Sequence, residues 1–529
     1  MTLAVFVVSC SYLRFFRDGM TFDPDEGVAL QGAARILHGE VLYRDFFSFM
    51  TPGSYFWMAL LFKLFGTSMI VARTMVIVYG ALYSSLTYLL ARRISGRWAS
   101  LGAAYLLLVS ATPFRFEAIH NWSSTAWALL ALYCAVLWLQ TCHPLAAFTS
   151  GNFAAWTFLS EQSKGACLGL ALFIAFAWIV WLRPEGPLRS RSGWFAAAGG
   201  FLWPFLVVIG YWAHLGALEP MWNDWVWPIH HYTAANAVFY GTIFPSYQVW
   251  VEVFQNLSWI GRGAVIFILS PSLIIALLPF LALGSLAVCA REMIRQKERR
   301  ETLSYYFLVA TVACGMALSV VIKNRPDTSQ LIFVAPLLFP VLAWYVQGQR
   351  VLRWVPGVGR PLMTGYLFVS FTLFTLMFLR VPLVSPASIR TRRGILKAEH
   401  ESAPLNYLMA NTKSGEKVMI YPYASILYFL TDTYSPGRFD YLQPGVHTHE
   451  QFEESVRDVA ADRTPLVFYN LGFFSNLLPE SWPSTPPEAI AEEPFRNLLI
   501  SRYRPCAVIG SGRGLFVAFW RKDIPCPQK

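Results

Sequence analysis

Long apolar runs separated by short Arg-rich loops set the pattern of the chain as far as about residue 380. A helix needs about 20 mainly apolar residues to cross a bilayer. Eleven runs are candidate spans: 1–16, 69–91, 98–113, 122–140, 145–159, 165–182, 194–213, 263–290, 303–322, 329–347 and 362–380. Three of them, 1–16, 98–113 and 145–159, are short and need a thinned bilayer or snorkelling flanks. The pattern predicts a mainly α, polytopic membrane protein with about 11 transmembrane helices.

Beyond residue 380 the pattern changes. Charges of both signs, Pro-rich joints and short alternating apolar runs at 417–421, 466–469, 507–510 and 515–520 predict strands, with helices near 400–411, 449–461 and 490–501. The chain therefore divides into a membrane domain, 1–380, and a small α/β domain, 381–529, of ordinary domain size.

Composition sharpens the class. The chain is 55% hydrophobic and only 14% charged, against about 25% charged in a soluble domain. That excludes an ordinary soluble enzyme. The formal charge of +11 does not signal nucleic acid on so apolar a chain; short loops between the apolar runs collect Arg and Lys instead: Arg92, Arg93 and Arg97; Arg183, Arg189 and Arg191; Arg291 to Arg300; and Arg350, Arg353 and Arg360. With every span real, these loops share one side, which the positive-inside rule makes cytoplasmic. The N-terminus is then inside, and segments 17–68, 214–262 and the tail from 381 are outside. The first segment reads as an uncleaved anchor, since no clear cleavage site follows it.

Cysteines add little. Six lie in or beside spans as small apolar residues, while Cys506 and Cys526 are positioned to pair or to stay free in an oxidising compartment. No CxxC, HExxH or other metal spacing occurs, and no cofactor is expected.

The first outside loop is the most informative stretch. In TFDPDEGVALQGAARILHG, residues 21–39, Asp23 suits an N-cap, Pro24 the first helical position, and Glu26 the reciprocal position of a capping box. Leu30, Ala33, Ala34 and Leu37 line one face and Gln31, Arg35 and His38 another, so the helix is expected to lie along the membrane surface. Capping explains Asp23 and Glu26 but not Asp25. A second short amphipathic helix follows near 53–65, after the Pro52-Gly53 break.

The order Asp25-Glu26 at the start of a surface helix, Gly39-x-x-Leu42-Tyr43-x-Asp45, Pro52 before an aromatic helix, then Leu64-Phe65-Gly66 and Arg73, resembles the GT-C superfamily of membrane glycosyltransferases. The protein O-mannosyltransferases and the bacterial aminoarabinose transferases are the most similar. The resemblance implies transfer of a sugar from a polyprenyl-phosphate donor to a lipid, glycan or protein hydroxyl on the outer face of the membrane, with Asp25 as the catalytic carboxylate. It implies that Glu26 shapes the site and that Tyr43 and Asp45 bind substrate or hold the Asp25 loop; a plain loop acceptor is the other reading of Asp45. The aminoarabinose transferases carry a lysine just before the prolines of the second surface helix, whereas this chain has Phe49, Met50 and Thr51. Lys164, Lys323 and Arg325, at outer span ends, are the alternative phosphate holders; snorkelling to the interface is the other reading of each.

Weaker signals remain. His120, after Arg115 and Glu117, either orients the acceptor or is an interface histidine. Trp222, Trp225, Trp227, His230, His231, Tyr232, Tyr240, Tyr247 and Trp250 fit an aromatic belt, a few of them capping the active cavity. His447, His449 and Glu450 have a metal-like spacing and equally suit a helix start. Arg73 is expected to pair with an acidic residue of the first loop. The rival function is a transporter or flippase of lipid-linked glycans, which should carry internal repeats with broken helices; none is seen. The lack of a long inserted domain points to a bacterial inner membrane with the site facing the periplasm.

Overall fold

The computed structural model describes residues 1–20, 23–183, 188, 191–232, 235–242, 254–347, 359–384, 387–491 and 494–527. Every one of the eleven predicted runs is helical: α1 (Thr2–Leu13), α4 (Met69–Ile94), α5 (Arg97–Ser110), α6 (His120–Thr141), α7 (Pro144–Ser160), α8 (Gln162–Leu182), α9 (Arg191–His214), α11 (Trp259–Arg295), α12 (Arg300–Ile322), α13 (Thr328–Gln347) and α14 (Gly359–Val384). Among the described residues eight are long and apolar enough to cross a membrane. The expected count of about 11 is thus met by eight on length alone. The other three, α1, α5 and α7, have 12, 14 and 17 residues, and at about 1.5 Å per residue they fall short of a hydrocarbon core about 30 Å thick. They are the runs expected to be short.

Among the described residues, the segments between these runs carry further α-helices, α2 (Pro24–Leu37), α3 (Gly53–Phe65) and α10 (Leu218–His231). Helix α13 is the hub of the bundle: Leu331 to Phe339 bury their apolar side chains against α4, α5, α11 and α12. The described parts of three Arg-rich loops, at Arg93–Gly96, Leu182–Arg183 and Glu292–Arg300, meet at one end of the bundle. Arg93, Ser95 and Gly96 line a cavity of about 490 Å³ there with Glu292, Gln296 and Arg299, and Arg300 Nη1 donates to Leu182 O at 2.6 Å. Arg189, Arg350 and Arg353 lie outside the described residues.

Beyond α14 come a hairpin, β1 (Ala387–Thr391) and β2 (Gly394–Ala398), then α15 (Ala403–Asn411), β3 (Met419–Tyr421), α16 (Ile426–Thr431), α17 (His449–Ala461), β4 (Leu466–Asn470), α18 (Leu478–Ser481), α19 (Pro487–Ala491), α20 (Arg496–Arg502), β5 (Tyr503–Ile509) and β6 (Phe516–Arg521). The sheet order is β3-β4-β6-β5, with β3 parallel to β4 and the other pairs antiparallel. Every β4 residue is buried, as befits a strand covered on both faces. The expected strands are all present. The expected helix over 490–501 is two short ones, and the β1–β2 hairpin is a feature the sequence reading lacks. Cys506 and Cys526 are disulfide-bonded, with Cα atoms 5.5 Å apart.

The sheet domain sits directly on segment 17–68. Lys397 N donates to Asp18 O and Met20 N to Lys397 O, both at 2.7 Å, and Phe47 N donates to Arg438 O at 2.9 Å. Helix α2 is consequently not a surface helix with a wetted polar face. Gln31 Nε2 donates to Thr433 O at 3.1 Å and Arg35 pairs with Asp440 at 2.8 Å, so the polar face is buried against the sheet domain. The amphipathic pattern is real, but its polar partner is protein rather than water.

Candidate active site

Asp23 caps α2 as expected, its Oδ1 accepting from Asp25 N at 2.8 Å. Glu26 does not complete a capping box. Its side chain turns inward, where Oε2 meets Arg73 Nη2 at 2.6 Å and Oε1 accepts from Ala118 N at 2.8 Å. Burial pushes the Glu26 carboxyl up, with Arg73 opposing. The expected pairing of Arg73 with the first loop is therefore present, and Glu26 is a fastener between α2, α4 and the α5–α6 loop.

Asp25 is left as the accessible carboxylate of the triplet, its side chain 39% exposed. Its Oδ1 accepts a hydrogen bond from the Tyr423 hydroxyl, and its Oδ2 lies 3.6 Å from Arg115 Nη2. That guanidinium also meets Asp23 Oδ2 at 2.7 Å and Glu117 Oε2 at 2.9 Å, over the ring of Phe333. One cation thus faces three carboxylates. Burial and the charge of Glu117 push the Asp23 carboxyl up to about 8, and burial raises Glu117 as well. Tyr232 and Tyr441 complete the electrostatic surroundings of Asp25, and burial raises both phenols.

His120, the first residue of α6, feels the charges of Arg115 and of a second cluster that contains Lys323 and Lys164. Glu161, between α7 and α8, holds both lysines: Lys164 Nζ is 3.0 Å from its Oε2, and Lys323 Nζ pairs with its Oε1. Lys164 is closed off, 1% exposed, and also donates to Asn121 O, Ser124 Oγ and Thr125 Oγ1 at 3.0–3.2 Å. Lys323 is 23% exposed. Neither lysine snorkels; both are anchored by a carboxylate. Arg325 instead joins the sheet domain, donating to Ser481 O at 2.9 Å and to Asn236 Oδ1 at 3.2 Å over the Trp482 ring.

Tyr43 and Asp45 hold the loop. Tyr43 is fully buried with a left-handed φ of 75°; its hydroxyl donates to Met50 O at 2.9 Å and accepts from Trp225 Nε1 at 2.8 Å. Asp45 accepts from Val41 N at 2.7 Å and from Arg44, which with that backbone bond holds its carboxyl below the usual range. Trp227 is interior rather than a belt residue, stacking on Phe49 at 5.4 Å, and Trp225 is partly buried, whereas Trp222 is exposed. Tyr247 and Trp250 lie outside the described residues. His449 opens α17, and the buried His447 ring accepts from Gln443 N through Nδ1.

Sequence reasoning missed Arg115 and Glu117 as site members and Glu161 as the holder of the lysines. Two opposite charges in a three-residue stretch beside a span end were a usable signal for the first pair. Nothing local pointed to Tyr423.

No family model and no curated protein matches the chain. Solved structures do. ArnT from Cupriavidus metallidurans bound to undecaprenyl phosphate is similar over 98% of this chain and 97% of its own, at 12% identity and a TM-score of 0.55. The archaeal oligosaccharyltransferase AglB from Archaeoglobus fulgidus, in complex with an inhibitory peptide and a dolichol-phosphate, is similar over 99% of this chain and 75% of its own, at 12% identity and a TM-score of 0.51. At that identity the likeness shows the fold alone: the chain has the fold of these two structures.

Proposed function

We propose that the protein is a membrane glycosyltransferase that moves a sugar from a polyprenyl-phosphate donor to a hydroxyl acceptor, with inversion and with Asp25 as general base. The observation that carries this reading is an exposed carboxylate, Asp25, beside Arg115, with a separate cationic cluster, Glu161–Lys164–Lys323, in the same outer region; Arg115 and both lysines act electrostatically on His120. A base within hydrogen-bond reach of an acceptor hydroxyl takes its proton as the oxygen attacks the anomeric carbon. The bond from that carbon to phosphate oxygen breaks on the opposite face, and the lipid phosphate leaves with its charge. Preorganised cations stabilise that developing charge. Lys323, the more exposed of the two lysines, receives the phosphate, with Lys164 fixed behind it. His120, which feels charges of both clusters, orients the acceptor. Arg325 closes the phosphate side against the sheet domain. Glu26 ties down the helix on which Asp25 is mounted, and Tyr43 and Asp45 hold the loop that follows it.

The clustering of the Arg-rich loops at one end supports an orientation with that end cytoplasmic. Asp25 and the sheet domain then face the periplasm of a bacterial inner membrane. The disulfide fits an oxidising compartment on that side.

The test is transfer from a panel of radiolabelled polyprenyl-phosphate sugars in proteoliposomes, native chain against Asp25→Asn at matched folding. Donor consumed by the native protein alone supports the reading and identifies the sugar. Equal consumption by Asp25→Asn, or none by either, overturns it.

A further inference from the structure

Tyr423 reaches the site from the sheet domain, 398 residues along the chain from Asp25. It follows β3, and its ring is buried among Tyr441, Trp482 and Phe473, with centroids 5.0, 5.6 and 6.2 Å away. Its hydroxyl donates to Asp25 Oδ1.

The ring is held by more than this one bond. Two residues later Ser425 and Ile426 press on α2 so closely that a Cβ at Gly27 would lie 2.0 Å from Ile426 N. The Gln31–Thr433 and Arg35–Asp440 contacts fix the same interface a turn and two turns further along α2. The phenol and the carboxylate are therefore mounted on two elements with no freedom to slide. Asp23, Arg115, Glu117, Tyr232 and Tyr441 are the other charged or titratable groups around the carboxylate.

We propose that Tyr423 is a positioning residue for Asp25: the sheet domain supplies the hydroxyl that fixes the rotation of the carboxylate, occupying one oxygen and leaving the other toward Arg115 and the acceptor. This rests on the reading of Asp25 as the base. It gives the sheet domain a part in the chemistry, since the active site is incomplete without it. Burial, reinforced by the charge of Asp25, raises the Tyr423 phenol well above its ordinary value, so it remains a donor throughout the working pH range. An undirected carboxylate meets the acceptor hydroxyl in many rotations, whereas a fixed one meets it in the productive one.

Tyr423→Phe removes the hydroxyl and keeps the ring. Two readouts decide the proposal. The first needs no turnover: modification of Asp25 by a water-soluble carbodiimide at pH 6, followed by peptide mass spectrometry. The Tyr423 hydroxyl occupies Oδ1 of Asp25, so deleting it opens that oxygen to the reagent and Asp25 labelling should rise at least about threefold in Tyr423→Phe. The second is the kinetic split, with kcat for donor consumption falling about tenfold and KM for the donor unchanged within about twofold. Phe473→Leu, which loosens the same ring cluster without touching Asp25, should leave labelling at the native level. Unchanged labelling in Tyr423→Phe, an equal rise in Phe473→Leu, or an unaltered kcat overturns the proposal. A native protein that consumes no donor overturns the transferase reading, while labelling still decides whether Tyr423 governs Asp25.

Discussion

Arg73 Nη2 lies 2.6 Å from Glu26 Oε2, and neither side chain is open to solvent. Arg73 also donates to Phe116 O and lies over the Phe116 ring, while Glu26 takes the N–H of Ala118. The pair thus joins the helix that carries Asp25 to the bundle and to the loop that carries Arg115.

Removing one partner strands the other charge in the interior, which costs about 3–5 kcal/mol, whereas replacing both with apolar residues of similar volume is often close to neutral. Arg73→Met or Glu26→Leu alone should therefore lower the unfolding midpoint in detergent far more than the double variant Glu26→Leu/Arg73→Met. The coupling, read as the departure from additivity across the four proteins, should exceed about 2 kcal/mol. Additive effects would mean the two charges do not depend on each other.

The two lysines held by Glu161 should respond differently to substitution. Lys164 is closed off with four oxygen partners, so Lys164→Met should chiefly destabilise the fold, by about 3 kcal/mol. Lys323 is partly open and Glu161 keeps Lys164 when it is lost, so Lys323→Met should lower the melting midpoint less than Lys164→Met and slow donor consumption by about 100-fold, the usual effect of losing one preorganised donor to a developing anion. Thermal unfolding and proteoliposome assays on the same preparations separate the two.

What the sequence carried, and what it did not, follows from the range of the interactions. Helical runs are written locally as apolar periodicity, and so are the cap at Asp23 and the strands of the sheet domain. The Arg-rich loops are equally local. The polar face of α2 was misassigned because Gln31 and Arg35 present the same pattern to water as to Thr433 and Asp440, which lie about 400 residues away. Glu26 was assigned to a capping box for the same reason: the motif is satisfied in sequence, but its carboxylate is taken by Arg73. Asp25 stood out because one cap does not need three acids. Its partner Tyr423 follows an ordinary short strand and has no mark of its own. Arg115 was visible as a charge at a span end, yet its role as the shared cation of Asp23, Asp25 and Glu117 exists only once α2 is folded against the α5–α6 loop.

His447 makes stability depend on pH. It is buried among Phe47, Trp227, Phe439 and Tyr441, with Nδ1 accepting from Gln443 N at 3.0 Å, and burial pushes it down to about 3. The unfolded chain protonates this ring near its ordinary value of about 6.5. Between those two values the unfolded state binds the extra proton, so stability from this group is complete above about pH 6.5 and is lost as pH falls toward 3. The loss should reach about 2 kcal/mol at pH 5. His447→Gln, which cannot titrate, should flatten that part of the stability curve measured by denaturant unfolding from pH 7.5 to pH 5.

Gly27 tests whether the seat of the sheet domain and the geometry of Asp25 are one feature. A Cβ there would lie 2.0 Å from Ile426 N and 2.4 Å from Ile426 Cα, both backbone atoms that cannot rotate away. Gly27→Ala must separate α2 from α16 by an ångström or more, and Tyr423, carried on the same short segment as Ile426, moves with it. Overpacking of this kind costs about 1–3 kcal/mol, and with backbone on the receiving side the upper end is expected. Donor consumption should fall at least as far as in Tyr423→Phe, because the hydroxyl is displaced rather than deleted and α2 shifts as well. Gly169→Ala in α8, where an added Cβ meets nothing within 4 Å, should leave both stability and consumption near native. A Gly27→Ala protein that melts and turns over like the native one would show that α2 and the sheet domain can part slightly without cost, and that Asp25 does not depend on how the domain is seated.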